Sequence, residues 1–177
     1  MYTNSSDLEL MTGDGNQQII GLRFTNVNVP ANAVITNAWL EFEIDEQNAA
    51  SSNVVTVRIS GHDTDSATAF TSSSNSVSSR TKTSASTNWA ITTNPSIDSK
   101  LNSPNFSGVI QEIVDRSGWA ANGNMAMILE LVNGSGIRWT ESYEGESSNA
   151  AKLHITYIAG TATTITAQVS ASFDDAE

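Results

Sequence analysis

Apolar residues fall at every second position in one segment after another, and this period of two most restricts what the chain can fold into. In "AVITNAWLEFEIDE", Val34, Ala38, Leu40, Phe42 and Ile44 share one parity, and Asn37, Trp39, Glu41, Glu43 and Asp45 the other. Successive side chains of a strand point to opposite faces, so the pattern predicts a half-buried β-strand. "QQIIGLRFTNV" sets Ile20, Leu22 and Phe24 against Arg23 and Thr25, and "NVVTVRISG" buries Val55, Val57 and Ile59 while exposing Thr56 and Arg58. "NMAMILELV", "GIRWTESY" and "AKLHITYI" read as further strands, and "TGDGN", "VPANA", "NGSG" and "YEGESSNA" supply the turns between them.

One segment has a different period. In "NFSGVIQEIVDRSGW", Phe106, Val109, Ile110, Ile113 and Val114 fall on one helical face, with Gln111, Glu112 and Asp115 opposite. Residues 63–104 are rich in Ser and Thr and read as long loops with one or two short strands, anchored by Phe70 and Trp89. Many strands around one helix predict an all-β fold, a jelly-roll-like β-sandwich with one short crossing helix.

The module is expected over residues 1–159, within the 177 that suffice for a single core. Residues 160–177 form a linker and an extra strand. There Ile165, Ala167, Val169, Ala171 and Phe173 still alternate with polar residues, although the module has already closed on "AKLHITYI".

Charge narrows the partners. A net charge of -11 disfavours nucleic acid, whose phosphates need a basic face. No run approaches the length of a membrane span, so membrane insertion is not expected. The abundance of Ser, Thr and Asn, with charged residues at 15%, points to an extracellular or cell-surface protein. "MYTNSSDLEL" has no leader pattern, so the chain reads as a mature or excised piece. Cysteine is absent, which excludes disulfide and thiol chemistry.

Trp39 is the first candidate contact residue. Its parity sends it outward, where an indole stacks on a sugar ring or anchors a protein, or else covers Arg23 or Arg58 as a cross-strand neighbour. Trp89, Trp119 and Trp139 read as core or loop anchors. Asp63 and Asp65 in "HDTD", Glu141, and Asp174, Asp175 and Glu177 in "FDDAE" are the candidate metal ligands. Calcium takes six to eight oxygens from such loops and is the candidate cofactor. Glu141 shares the parity of Ile137 and Trp139, which would aim it into the end of the sandwich. Solvated turn carboxylates are the plainer alternative.

Catalysis is not expected. His62 and His154 are the only histidines, and neither has metal-ligand spacing. No GxSxG elbow is present, and Glu41 and Glu43, two apart on a strand, read as a solvated face.

Three stretches carry a family resemblance. "IIGLRFTNVNVPANAVITNAWLEFEID" resembles a strand, a Pro-containing loop and a second strand opening Ala-x-Leu. "FSGVIQEIVDRSGWAANGNMAMIL" resembles a short helix leading into a strand, and "RWTESYEGESSNAAKLHITY" a closing hairpin. In this order, over roughly residues 7 to 158, they are similar to the DNRLRE-type modules of bacterial extracellular proteins, which are related to disaggregatase-like and polysaccharide-degrading proteins. The resemblance implies a non-catalytic jelly roll within a multi-module secreted or surface protein. Some such modules bind polysaccharides such as alginate.

Relatives of this type often stand in tandem, with a stretch like "SASFDDAE" leading into one like "SSDLEL". Here these lie at opposite ends, so the chain resembles a repeat cut in a shifted frame. Its tail would then close its own sandwich or a neighbour's. Two functions follow from the sequence. One is structural assembly or adhesion among copies or adjacent modules, filament-forming by strand donation. The other is carbohydrate binding, docking a secreted multi-domain protein onto polysaccharide.

Overall fold

The computed structural model describes residues 5–13 and 16–159. The elements run β1 (Asp7–Leu10), β2 (Thr12–Gly13), β3 (Asn16–Gln17), β4 (Ile19–Val27), β5 (Val34–Glu43), a 3-10 turn (Ala49–Ser52) and β6 (Val55–His62). After these come β7 (Lys82–Ile91), β8 (Lys100–Asn102), α1 (Ser107–Val114), β9 (Gly123–Gly134), β10 (Arg138–Glu141) and β11 (Lys152–Ile158). The fold is an all-β sandwich with one α-helix among the described residues.

One layer is the antiparallel sheet β4-β9-β6-β7, and the other is β11-β5-β8. The short pair β1-β10 joins the second layer through a bridge between Ile44 and Thr140. Between the layers, Val55, Val57, Ile59, Leu40 and Phe42 are fully buried. The Phe42 ring stacks on Trp89 of the opposite layer with centroids 5.9 Å apart. Burying side chains of this size contributes about 1.5–3 kcal/mol each, which makes this interlayer contact the main stabilising term.

The alternation expected in β4 and β6 is the one observed: Ile20 and Leu22 are buried, and Arg58 is exposed. β5 departs from it at its start. Val34 is 54% exposed and Ile35 is buried. The pairing with β11 slips there, because Tyr157 faces Ile35 while Thr156 faces Asn37. Thr36 is thus an extra residue on β5, and a bulge of this kind reverses the parity beyond it.

The Ser/Thr-rich stretch holds more structure than its composition implies. β7 is a ten-residue strand, with Thr83, Trp89 and Ile91 buried against exposed Ser84, Ser86, Asn88 and Ala90. Pairing with β6 from Val55–Ile91 to His62–Lys82 satisfies its backbone, and small hydroxyl side chains suit its solvated outer face.

The helix matches its apolar pattern, with Phe106 as its N-cap and its end at Val114, where Asp115 is the C-cap. Val109, Ile110, Ile113 and Val114 are buried, and the helix packs against β5, β6 and β7. Val109 and Ile113 lie over Gly61, where an added Cβ would meet Ile113 at 2.7 Å. That close approach places the helix across one flank of the sandwich and seals it.

Candidate functional site

The two flanks differ in how their backbone groups are satisfied. On the sealed flank, Glu112 of α1 accepts the N–H groups of Ser84 and Ala85, each at 2.7 Å, along the outer edge of β7. Along the far side of β5, Ser103 exchanges hydrogen bonds with Leu40, from its N–H to Leu40 O and from Leu40 N–H to Ser103 Oγ, both at 2.9 Å. Asn105 Oδ1 accepts from Ala38 N–H at 3.0 Å, and Gln111 Oε1 from Ile35 N–H at 2.8 Å. Side chains here do the work of a neighbouring strand.

Among the described residues, the opposite flank has no such cover: β11 is the terminal strand of its sheet and pairs with β5 alone. Its inward residues Leu153 and Ile155 are half-buried, whereas Leu40 and Phe42 on β5 are at 0%. Tyr157 and Ile158 are exposed at 36% and 63%, and Ile158 faces the exposed Val34. Among the described residues the core is thus only partly covered along β11.

The outer face of the four-stranded sheet carries a second feature. Residues 63–81 cross it as a strap. Phe70 lies on Gly21, where a Cβ would come within 2.5 Å of the ring, and the Arg80 guanidinium covers Phe70 at 4.1 Å. Arg80 also donates to Thr68 O and Ala69 O, at 2.9 and 3.0 Å, and approaches His62 Nδ1 at 3.2 Å. Arg23 holds the start of the strap through Nε to Ala67 O at 2.8 Å.

Beside the strap runs an open trough of about 600 Å3, lined by residues that include Arg58, Ser60, Ser86, Asn88 and Glu130. Lys82 in this trough pairs with Glu130 at 3.0 Å. Among the described residues, Arg58 is the one Lys or Arg without a hydrogen-bond or ion-pair partner.

Trp39 does not share a face with Arg23 and Arg58. It belongs to the outer face of the other layer, because β5 pairs with β11 and β8 while β4 and β6 lie in the opposite sheet. There it is half-buried, stacked on His154 with centroids 4.6 Å apart and planes 3° from parallel. His154 Nε2 lies 3.2 Å from Glu41 Oε2, in contact but out of line for a hydrogen bond. Trp39 and His154 are direct cross-strand partners, which fixes the stack.

The candidate carboxylates do not converge. Asp63 and Asp65 come together around Arg116, which pairs with Asp63 and donates from Nε to Asp65 at 2.7 Å. That guanidinium supplies the positive charge a cation would bring. Glu141 does not point into the sandwich. The buried residues of β10 are Arg138 and Thr140, so Glu141 shares the outward parity with half-buried Trp139. Its carboxyl is raised above the usual range by burial first, then by Asp45, Glu146, Glu43 and Asp98. Among the described residues no three His, Asp or Glu are placed to hold a metal ion. Asp174, Asp175 and Glu177, like the alternating residues Ile165, Ala167, Val169, Ala171 and Phe173, lie outside the described residues.

Arg138 was not legible as a structural residue in the sequence. It is 1% exposed, and its guanidinium donates only to main-chain oxygens, of Thr93, Asn53 and Ile137. Burial lowers its pKa. Among the described residues no helix is long and apolar enough to cross a membrane. No protein-family model and no curated protein matches this sequence.

Proposed function

We propose that the chain is a non-catalytic extracellular module that builds structure by strand addition, each copy passing residues 163–173 to the open flank of another. The observation that carries this reading is the part-covered core along β11, where Leu153 and Ile155 stay half-buried on a strand that, among the described residues, is bonded on one side only. An edge strand of this kind is a template for pairing with another chain. A transferred strand supplies main-chain hydrogen bonds, and its alternate side chains enter the exposed core. A contact between unlike surfaces does not close on itself, so repetition gives filaments. Calcium at Asp174, Asp175 and Glu177 would stiffen the junctions.

Molar mass by light scattering, with negative-stain imaging, tests this on the full chain and on one ending at Gly160. Each is measured with calcium and with chelator. Oligomers or fibres from the full chain alone support assembly. Monomers from both, at every protein and calcium concentration, refute it.

A second reading rests on the trough beside the strap. Arg58 there is exposed and without a partner among hydroxyl and amide side chains, an arrangement suited to a hydroxyl-rich glycan. The resemblance to polysaccharide-binding modules supports it. Retention on a panel of insoluble glycans, lost in Arg58→Ala and kept in Trp39→Ala, would place the ligand in the trough. The reverse pattern would place it on the Trp39–His154 stack.

A further inference from the structure

We propose that Asn133 is a site of spontaneous covalent modification, where the folded chain converts its own asparagine, through a cyclic succinimide, to aspartate or isoaspartate.

The chemistry needs an asparagine, a following residue without a side chain, and an available backbone N–H between them. The amide nitrogen of the following residue gives its proton to solvent base and attacks Cγ of the asparagine. A new N–Cγ bond forms, the Cγ–Nδ2 bond breaks, and Nδ2 leaves with a solvent proton as ammonia. Water then opens the ring at either carbonyl. One opening gives aspartate. The other gives isoaspartate, in which the main chain runs through the former side chain and is longer by a methylene. Water is the one co-reactant, and no oxidant or reductant is required.

The chain has two Asn–Gly pairs, Asn122–Gly123 and Asn133–Gly134, and the fold treats them differently. Asn122 is held in the left-handed region at a φ of 66°. Its N–H bonds to Val27 O and that of Gly123 to Ala120 O, both at 3.0 Å. Trp119 lies against Gly123, where an added Cβ would meet the ring at 2.8 Å. The attacking nitrogen is thus hydrogen-bonded and walled in.

Asn133 has neither restraint. It and Gly134 are exposed, at the end of β9 where the strand gives way to a turn. Its side chain makes no hydrogen bond among the described residues. Ser135 N–H bonds to Val54 O at 3.3 Å, so the adjacent pair, Val55 with Gly134, is one whose own N–H groups point away from the partner strand. On the other side of β9, pairing with β4 stops at Ile19–Glu130, short of Gly134. Among the described residues, Gly134 N–H therefore has no strand to bond to and stays available for attack.

The turn beyond has little room for added length. Gly134 has a φ of 96°, and a Cβ there would collide with Val54 O. At Gly136 one would collide with Asn53 O, which also accepts from the buried Arg138 guanidinium. Isoaspartate strains this connection and loosens the hold on Arg138, whereas aspartate leaves the path of the main chain unchanged.

The test is ageing of the full-length chain in mildly alkaline buffer, natively and in urea. Cleavage after Glu130 then separates the two pairs into different peptides for mass spectrometry, and an isoaspartyl methyltransferase detects isoaspartate. The native chain should deamidate at Asn133 at least about tenfold faster than at Asn122, and in urea the two should react at similar rates, because folding alone separates them. The aged native chain should also unfold at a lower temperature. That loss should be absent from Asn133→Gln aged alongside, since its longer side chain closes a ring far more slowly. Asn133 left intact in the folded chain, or reacting no faster there than Asn122, would overturn the assignment. An equal loss of stability in aged Asn133→Gln would overturn the strain ascribed to isoaspartate.

Discussion

Glu112 accepts the backbone N–H of Ser84 through one carboxylate oxygen while its other oxygen takes the next N–H along β7, at Ala85. These donors lie where the β6–β7 pairing slips between Ser60 and His62, so a single side chain satisfies an irregular stretch of the edge strand. Glu112→Ala leaves two edge donors to water and is expected to cost about 1–3 kcal/mol in urea unfolding. Glu112→Gln keeps one acceptor and should fall between the two. A second signature is specific to this role: new self-association of Glu112→Ala, visible by light scattering even in a chain ending at Gly160. Stability unchanged in Glu112→Ala would show that the edge needs no cap.

Arg138 joins β10 to two separate loops through Thr93 O and Asn53 O, and it does so fully buried. Arg138→Met preserves much of the volume but strands these carbonyls, so a loss of about 2–4 kcal/mol is expected in thermal or chemical unfolding. Arg138→Lys recovers little, because one ammonium cannot reproduce the planar fork that reaches both loops. Equal stability of the Lys variant and the parent would contradict this account.

The strap over Gly21 has a pH dependence of predictable sign. Burial, then the neighbouring Arg80, lowers the His62 pKa, with Asp63 opposing and Arg116 adding to the effect. The neutral imidazole is the form whose Nδ1 accepts from Arg80. Its contribution is therefore fully present above about 6.5, the value for a free histidine, and is lost as pH falls through the lowered folded value. Hydrogen-exchange protection factors in residues 63–81, taken against the intrinsic rate at each pH, should fall between pH 7 and pH 5 relative to the β6–β9 core. Protection factors unchanged between the two pH values would show that His62 does not hold the strap.

Glu141 and Asp45 carry the opposite sign. Burial and neighbouring carboxylates raise both, with Asp7 and Glu146 acting on Asp45. For raised carboxyls the favourable protonated state is complete below the unfolded pKa, and stability is lost as pH rises through the folded values. Glu141→Gln should thus stabilise the fold at neutral pH by less than about 1 kcal/mol, since these groups are well screened by water. The gain should shrink in salt and vanish in acid. A destabilised Glu141→Gln would mean that the carboxylate has a favourable partner.

Period two in the sequence was enough to read β6, where Val55, Val57 and Ile59 point inward without exception. It failed at Val34 because one extra residue, Thr36, shifts the parity, and a bulge leaves no mark in composition. It passed over β7 because Ser and Thr mask an alternation whose inward members, Thr83, Ala85, Trp89 and Ile91, were nonetheless present. Which edges are covered was not legible, because that depended on Glu112, Ser103 and Asn105 meeting distant backbone groups. Contacts across the fold of this kind have no local signature. Arg138 was passed over for a related reason, since nothing in "GIRWTE" shows that Thr93 and Asn53 converge on its guanidinium.

Were copies joined through β11 as proposed, a helix laid along one flank and an edge strand unpaired among the described residues along the other would make the module a one-way connector. Any chain of copies joined through β11 would have polarity, with an empty receptor at one terminus and an unspent tail at the other. Growth at the two termini would then obey different rates, and a copy lacking the tail would stop extension at one terminus while leaving the other active.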